Sequence, residues 1–175
     1  MKYLMGIDVG TSGTKAALFS LDGELVRSVT VEYPLYQPKN GWAEQNPEDW
    51  WSAVRQAMES VGTDEVVGIG LSGQMHGLVM LDEDGGVIRP SIIWCDQRTS
   101  AECDEITQRV GFDKLIDITA NRALPGFTAS KIMWVQKNEP DNYRKCKHIL
   151  LPKDYIRYKL TGEFATDVSD ASGTQ

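Results

Sequence analysis

The chain has 175 residues, 41% of them hydrophobic and 25% charged, with 16 glycines and 7 prolines; this composition excludes a low-complexity or disordered polypeptide, and the length suits one α/β unit with its own core. A formal charge of −7 excludes general affinity for nucleic acid or anionic lipid, because the mean field repels polyanions, so any phosphate site has to be local. No basic stretch followed by an apolar run opens the chain, and no apolar run approaches the ~20 residues of a membrane span, so the sequence reads as cytoplasmic with no membrane partner.

Residues 3–9 (YLMGIDV) and 14–20 (TKAALFS) are strand candidates separated by a short glycine loop, and after the Asp22-Gly23 turn residues 24–33 alternate as a third strand. Tight turns make these an antiparallel meander. In NPEDWWSAVRQAMESVG, Asn46 can cap a helix, Pro47 fits its first position, and Glu48 and Asp49 favour its positive end. Trp50, Val54, Met58 and Val61 then recur at helical spacing as a core face. EVVGIGLSG (65–73) follows a helix and is a nearly continuous apolar run, the pattern of a strand buried on both faces beside a parallel neighbour.

Further on, DEDGG (82–86) turns GLVML into GVIRPSIIWCD, and TSAECDEITQRVG predicts a helix ending at Gly111. Thr128 is a candidate cap for the helix ASKIMWVQKNE, closed by Pro140; DNYRKCKH and ILLPKDYIRYKLTGEF add a helix, a short strand and a helix ended by Gly162. The final SDASGTQ carries no sign of a closing element and reads as the end of a fragment. Cys95, Cys103 and Cys146 lack disulfide arithmetic and zinc spacing, so they read as reduced packing thiols. The alternative for Cys95, beside Asp96, is a reactive thiol.

The chemistry centres on GIDVGTSGTK (6–15). A strand, a glycine turn and a second strand bring successive backbone N–H groups to one concave face that can cradle phosphate oxygens. Thr11, Ser12 and Thr14 add hydroxyls, Lys15 adds a positive charge, and Asp8 at the strand end can hold Mg²⁺ directly or through water. A strand follows the loop, which excludes a Walker A or dinucleotide-binding turn, both of which lead into a helix. A plain glycine-rich hairpin is the other reading. GQMHG places Gln74, Met75 and His76 after the 65–73 strand, at the carboxyl end where open sheets bind ligands, and an imidazole beside a thioether suits a polyol. In IIWCDQR, Trp94 can lie against sugar carbons and Asp96 can accept from hydroxyls, unless Trp94 is core and Asp96 forms a surface pair with Arg98.

Together these stretches resemble the FGGY carbohydrate kinases. GIDVGTSGTK is similar to the family's first phosphate motif, GFTASKIMWVQKN (126–138) to its first signature with Lys131 and Trp134 in place, and TDVSDASGT (166–174) to its acidic-serine turn. Within the family, GQMHG, IIWCDQRT and LLPKDYIRYKLTGEFATD are most similar to xylulose kinases. Glycerol kinases have an Arg-Glu pair where Met75 and His76 stand, which counts against glycerol.

The resemblance implies an actin-like ATPase domain on a ribonuclease H-like core, a mixed sheet with a three-strand antiparallel meander flanked by helices. It implies ATP and Mg²⁺ as cofactors and transfer of the γ-phosphoryl group to a ketose, D-xylulose to D-xylulose 5-phosphate. Asp8 would lie by the transferred group and its metal; Thr11, Ser12, Gly13 and Lys15 would meet the ATP phosphates; Met75, His76, Trp94 and Asp96 would line the sugar pocket, with Asp154 and Asp170 as outer members. The family's general base, an aspartate in a glycine-rich segment further along, has no counterpart in residues 1–175. The chain is therefore expected to be the N-terminal sugar-binding domain, inactive without a C-terminal kinase domain, with a homodimer left open. A ribulose, fuculose or gluconate kinase, or an actin-like nucleotide switch without a sugar substrate, are the alternatives.

Overall fold

Alternation along the first strand sends Met5, Ile7 and Val9 into the core and leaves Leu4 and Asp8 exposed on the opposite face. In the computed structural model of the chain, which describes residues 1–62 and 64–175, this stretch is β1 (Tyr3–Val9). β2 (Gly13–Ser20) returns antiparallel, with Val9 opposite Thr14, and β3 (Leu25–Glu32) pairs antiparallel with β2 after a turn in which Gly23 takes φ +88°. The expected meander is present.

After the two-residue strand β4 (Glu44–Gln45) comes α1 (Pro47–Val61), capped by Asn46 Oδ1, which accepts the Glu48 N–H at 3.1 Å. Its inner face (Trp50, Ala53, Val54, Ala57, Val61) is buried and packs across the meander against Ile7, Ala16 and Leu18. β5 (Val66–Gly73) runs parallel to β1, with Asp8 opposite Ser72 and Val9 opposite Gly73, giving the sheet order β3-β2-β1-β5. The expectation that this strand is buried on both faces is corrected. It is a sheet edge among the described residues, and Val67 and Ile69 remain 54% and 44% exposed.

Beyond the sheet, β6 (Val79–Leu81) pairs with β8 (His148–Leu150), and β7 (Ser91–Ile92) pairs with β4. α2 (Ser100–Val110) stops at Gly111, φ +89°, and a second helix, α3 (Phe112–Thr119), follows at once. That helix escaped the sequence reading because two turns after a glycine stop show too few periods to register. α4 (Thr128–Asn138) leads into α5 (Pro140–Lys145), and α6 (Pro152–Thr161) ends at Gly162 in a left-handed cap.

Two further expectations are corrected. Thr128 is the first helical residue and not the cap; Phe127 holds that position, and the threonine hydroxyl turns to another partner. Residues 168–174 do form a closing element: α7 (Val168–Ala171) and a 3₁₀ turn (Ser172–Thr174). Asp167 Oδ1 caps it by accepting the Ser169 and Asp170 N–H groups at 2.9 and 3.0 Å. Among the described residues, no helix is long and apolar enough to cross a membrane.

Candidate functional site

The loop between β1 and β2 is held from behind. Gly10 N–H donates to Gly13 O at 3.0 Å to close the turn, while Gly10 O accepts the Tyr33 hydroxyl and Gln74 Nε2. Burial pushes the Tyr33 phenol up to about 12, so the hydroxyl stays protonated and donates. Thr11 O accepts Gln45 Nε2 at 2.7 Å. Every peptide here is trans, so each captured carbonyl sends the following N–H the opposite way. The amides of Thr11 and Ser12 therefore face outward. Gly13 is required for a different reason: a Cβ there would lie 2.8 Å from Val31 O on β3.

Asp8 and Lys15 sit opposite each other on the exposed side of the sheet, in a hollow of about 370 Å³ that also includes Leu71 and Ser72. An adjoining hollow of about 410 Å³ is bordered by the same Leu71 and Ser72 and by Met75, His76, Lys153 and Asp170. Asp8 and His76 thus open onto neighbouring spaces that meet at Ser72. Among the described residues no group of three or more His, Cys, Asp or Glu gathers to hold a metal. A lone exposed carboxylate fits Mg²⁺ carried in on phosphate oxygens and water, the coordination that ion prefers.

His76 is built into its place. It adopts φ +61°, a left-handed conformation uncommon for a side chain other than glycine, and its carbonyl accepts from Lys131 Nζ at 2.7 Å and Thr128 Oγ1 at 3.2 Å. The Phe127 ring stands edge-on to the imidazole, centroids 4.8 Å apart, and Gly173 leaves the space that the ring fills. Burial lowers the imidazole pKa, helped by the Lys131 charge. Lys131 itself is fully buried, donates also to Gly126 O at 2.6 Å, and has its pKa pulled down to about 7 by burial, with Asp96 opposing.

On the far wall, Lys153 Nζ meets Asp154, Asp167 and Asp170 at 2.9, 2.8 and 2.9 Å. Burial works against its charge, but the three carboxylates outweigh that and hold the ammonium above its usual range. The only lysine bordering this hollow among the described residues is therefore already neutralised.

The structure places two expected sugar contacts elsewhere. Trp94 does not border the hollow; its indole Nε1 donates to Thr11 Oγ1 at 2.9 Å, which ties it to the β1–β2 loop. Asp96 is fully buried and accepts Ala43 N–H at 2.6 Å and the Arg98 guanidinium, leaving neither oxygen facing the hollow. The surface Asp-Arg pair is corrected to an interior one: the Arg98 side chain is 1% exposed, also meets Glu44 at 2.8 Å, and lies 3.7 Å over the Trp42 ring. Burial pushes the Cys95 thiol up, which argues against a reactive thiolate. Gln45, Tyr33, Thr128 and Gly173 were not singled out for the site by sequence reasoning, and only the family signature had flagged Lys131.

Residues 3–175 match the N-terminal domain of the FGGY family of carbohydrate kinases. The xylulose kinase of Bacillus subtilis is 46% identical over 99% of this chain. Among solved structures, one described as a xyloylose kinase from Brucella ovis superposes with a TM-score of 0.92 at 42% identity over 97% of this chain. A gluconate kinase from Lactobacillus acidophilus superposes with a TM-score of 0.91 at 30% identity over 99% of this chain. In each case the chain spans 36% of the relative's length.

Proposed function

Because the chain belongs to the FGGY family of carbohydrate kinases, we propose that it forms the sugar- and phosphate-binding part of a kinase that phosphorylates D-xylulose to D-xylulose 5-phosphate with ATP. The observation that carries this reading is the pair of adjoining hollows. One holds Asp8 and Lys15, at the two ends of the β1–β2 loop, the other holds His76 and Met75, and Leu71 and Ser72 border both. That spacing lets a sugar hydroxyl and a terminal phosphate approach each other across one strand end, where catalysis rests on positioning and charge neutralisation.

In this reading Thr11, Ser12, Gly13 and Lys15 receive the ATP phosphates, and Asp8 holds Mg²⁺, which supplies charge neutralisation at the transferred group. Met75 lies against sugar carbons and the His76 imidazole hydrogen-bonds a hydroxyl. Trp94 acts at one remove by bracing Thr11, Asp96 anchors the segment that carries Trp94, and Asp154 and Asp170 hold Lys153 in the wall.

The charge of the hollow favours a neutral ketose over a sugar acid. Lys153 is bound by three carboxylates, so a substrate carboxylate would find no unpaired cation among the described residues bordering the hollow. Calorimetric titration of the chain with D-xylulose and with D-gluconate tests this. Saturable heat with xylulose, abolished or strongly weakened by His76→Ala, is the expected result; preference for gluconate, or indifference to His76→Ala, contradicts it.

A further inference from the structure

The two buried glutamines under the β1–β2 loop are given no ligand to hold in the reading above, yet they donate to its carbonyls. Gln45 and Gln74 are 1% and 6% exposed. Gln45 Oε1 accepts Trp50 Nε1 at 3.1 Å and Gln74 Nε2 at 2.8 Å, so the partners themselves define which end of that amide is oxygen. Its Nε2 then faces two carbonyls, Thr11 O at 2.7 Å and Pro34 O at 3.3 Å. Gln74 Nε2 reaches Gly10 O at 3.3 Å, and the Gln74 backbone N–H donates to Val9 O at 2.8 Å. Gln74 thus grips the end of β1 with its main chain and the loop with its side chain.

We propose that Gln45 and Gln74 are positioning residues for the phosphate loop: by capturing the Gly10 and Thr11 carbonyls from the core side, the amide pair keeps the Thr11 and Ser12 N–H groups turned toward a phosphate. A glycine-flanked turn has little stiffness of its own, because glycine populates many backbone conformations. The direction of its peptide planes is set by what holds the carbonyls. Carboxylates at 45 and 74 could not do this, since they only accept, and aliphatic side chains would leave the Thr11 carbonyl bare and the Gly10 carbonyl with the Tyr33 hydroxyl alone, freer to turn outward, where they repel an anion. The pair forms one chain, Trp50 to Gln45 to Thr11 with Gln74 joining at Gln45 and Gly10, so removing either glutamine disturbs both carbonyls.

This inference rests on the reading of the 10–13 loop as a phosphate site, and the test separates the two. Backbone amide signals of the ¹⁵N-labelled chain are followed during titration with magnesium tripolyphosphate. In the parent, the Thr11 and Ser12 amides should shift saturably; if they do not, the phosphate reading fails and this inference with it. Gln74→Leu, Gln45→Leu and the isosteric Gln74→Glu should each weaken the response about tenfold, with the double Leu variant no weaker than either single one. Tyr33→Phe, which removes one donor to Gly10 O and no core volume, should give a smaller loss in the same direction, and it decides the matter should the glutamine variants fail to fold. Folded variants that bind the probe as the parent does, with only thermal stability reduced, would make the amides structural and overturn the proposal.

Discussion

Replacing Gly173 by alanine places a methyl carbon 2.2 Å from Cε1 and 2.4 Å from Nδ1 of His76. Carbon atoms rest at about 3.5–4.0 Å, so the imidazole has to retreat by more than 1 Å, roughly, or leave its rotamer. Its retreat is limited by Phe127, whose ring stands edge-on to it with centroids 4.8 Å apart. Gly173 is not among the glycines with positive φ, so alanine costs little in the backbone and the strain falls on the imidazole. In the proposed sugar-binding reading, a displaced imidazole forfeits its bond to the sugar and leaves the partner hydroxyl unmatched, about 1–3 kcal/mol, or roughly tenfold to a hundredfold in Kd. Titration calorimetry with D-xylulose on the parent, Gly173→Ala, His76→Ala and the double variant measures it. Gly173→Ala should weaken binding by that factor, and in the His76→Ala background it should add nothing, because its effect passes through the ring. Should Gly173→Ala bind within about twofold of the parent while His76→Ala binds weakly, the imidazole is not held where the geometry puts it.

The other expectations concern turnover, core and pH. Joined to the remaining length that its relatives possess, Asp8→Asn should lower kcat by roughly 10²–10³ with ketose affinity retained, and an equal loss of affinity would contradict its placement at the phosphoryl group. The 175-residue chain by itself should bind sugar without measurable product in a coupled ADP-release assay. Trp50→Ala empties a fully buried site and should cost about 3–5 kcal/mol in urea unfolding; a loss under about 1 kcal/mol would mean the α1 face is not the core it is taken to be. Burial pulls the Lys131 pKa down to about 7 in the fold from its ordinary 10.5, so between those values the unfolded state holds more protons and stability rises with pH. Thermal melts of the parent should therefore gain on Lys131→Met from pH 7 to pH 10, and a difference flat across that window would show that the ammonium is not desolvated.

Much of this molecule was legible in its residues because the signals are local. The meander follows from period-two alternation and two glycine turns, and α1 from Asn46, Pro47 and a buried stripe at helical spacing. The placing of Met75 and His76 beside the end of a parallel strand follows from a strand after a helix crossover. The errors have the same origin. Apolar residues along β5 suggested two buried faces, yet that strand is the sheet edge among the described residues, where the packed layer does not cover Val67 and Ile69. At Thr128 a helix cap was expected, yet Phe127 holds that position and the Thr128 hydroxyl donates to the His76 carbonyl, 52 residues away, which no local pattern could show.

Residue order by itself determined most of the elements, the loop with Asp8 at its mouth, and the family to which the chain belongs. Only the tertiary structure decided which side chains border the two hollows and which brace the frame beneath them. The bonds that draw that line, Gln74 to Gln45, Gln45 to Thr11 and Trp94 to Thr11, join residues 29, 34 and 83 positions apart. Periodicity and turn chemistry report a window of some ten residues, whereas a hydrogen bond between distant segments depends on how whole layers pack, and no local pattern carries that information.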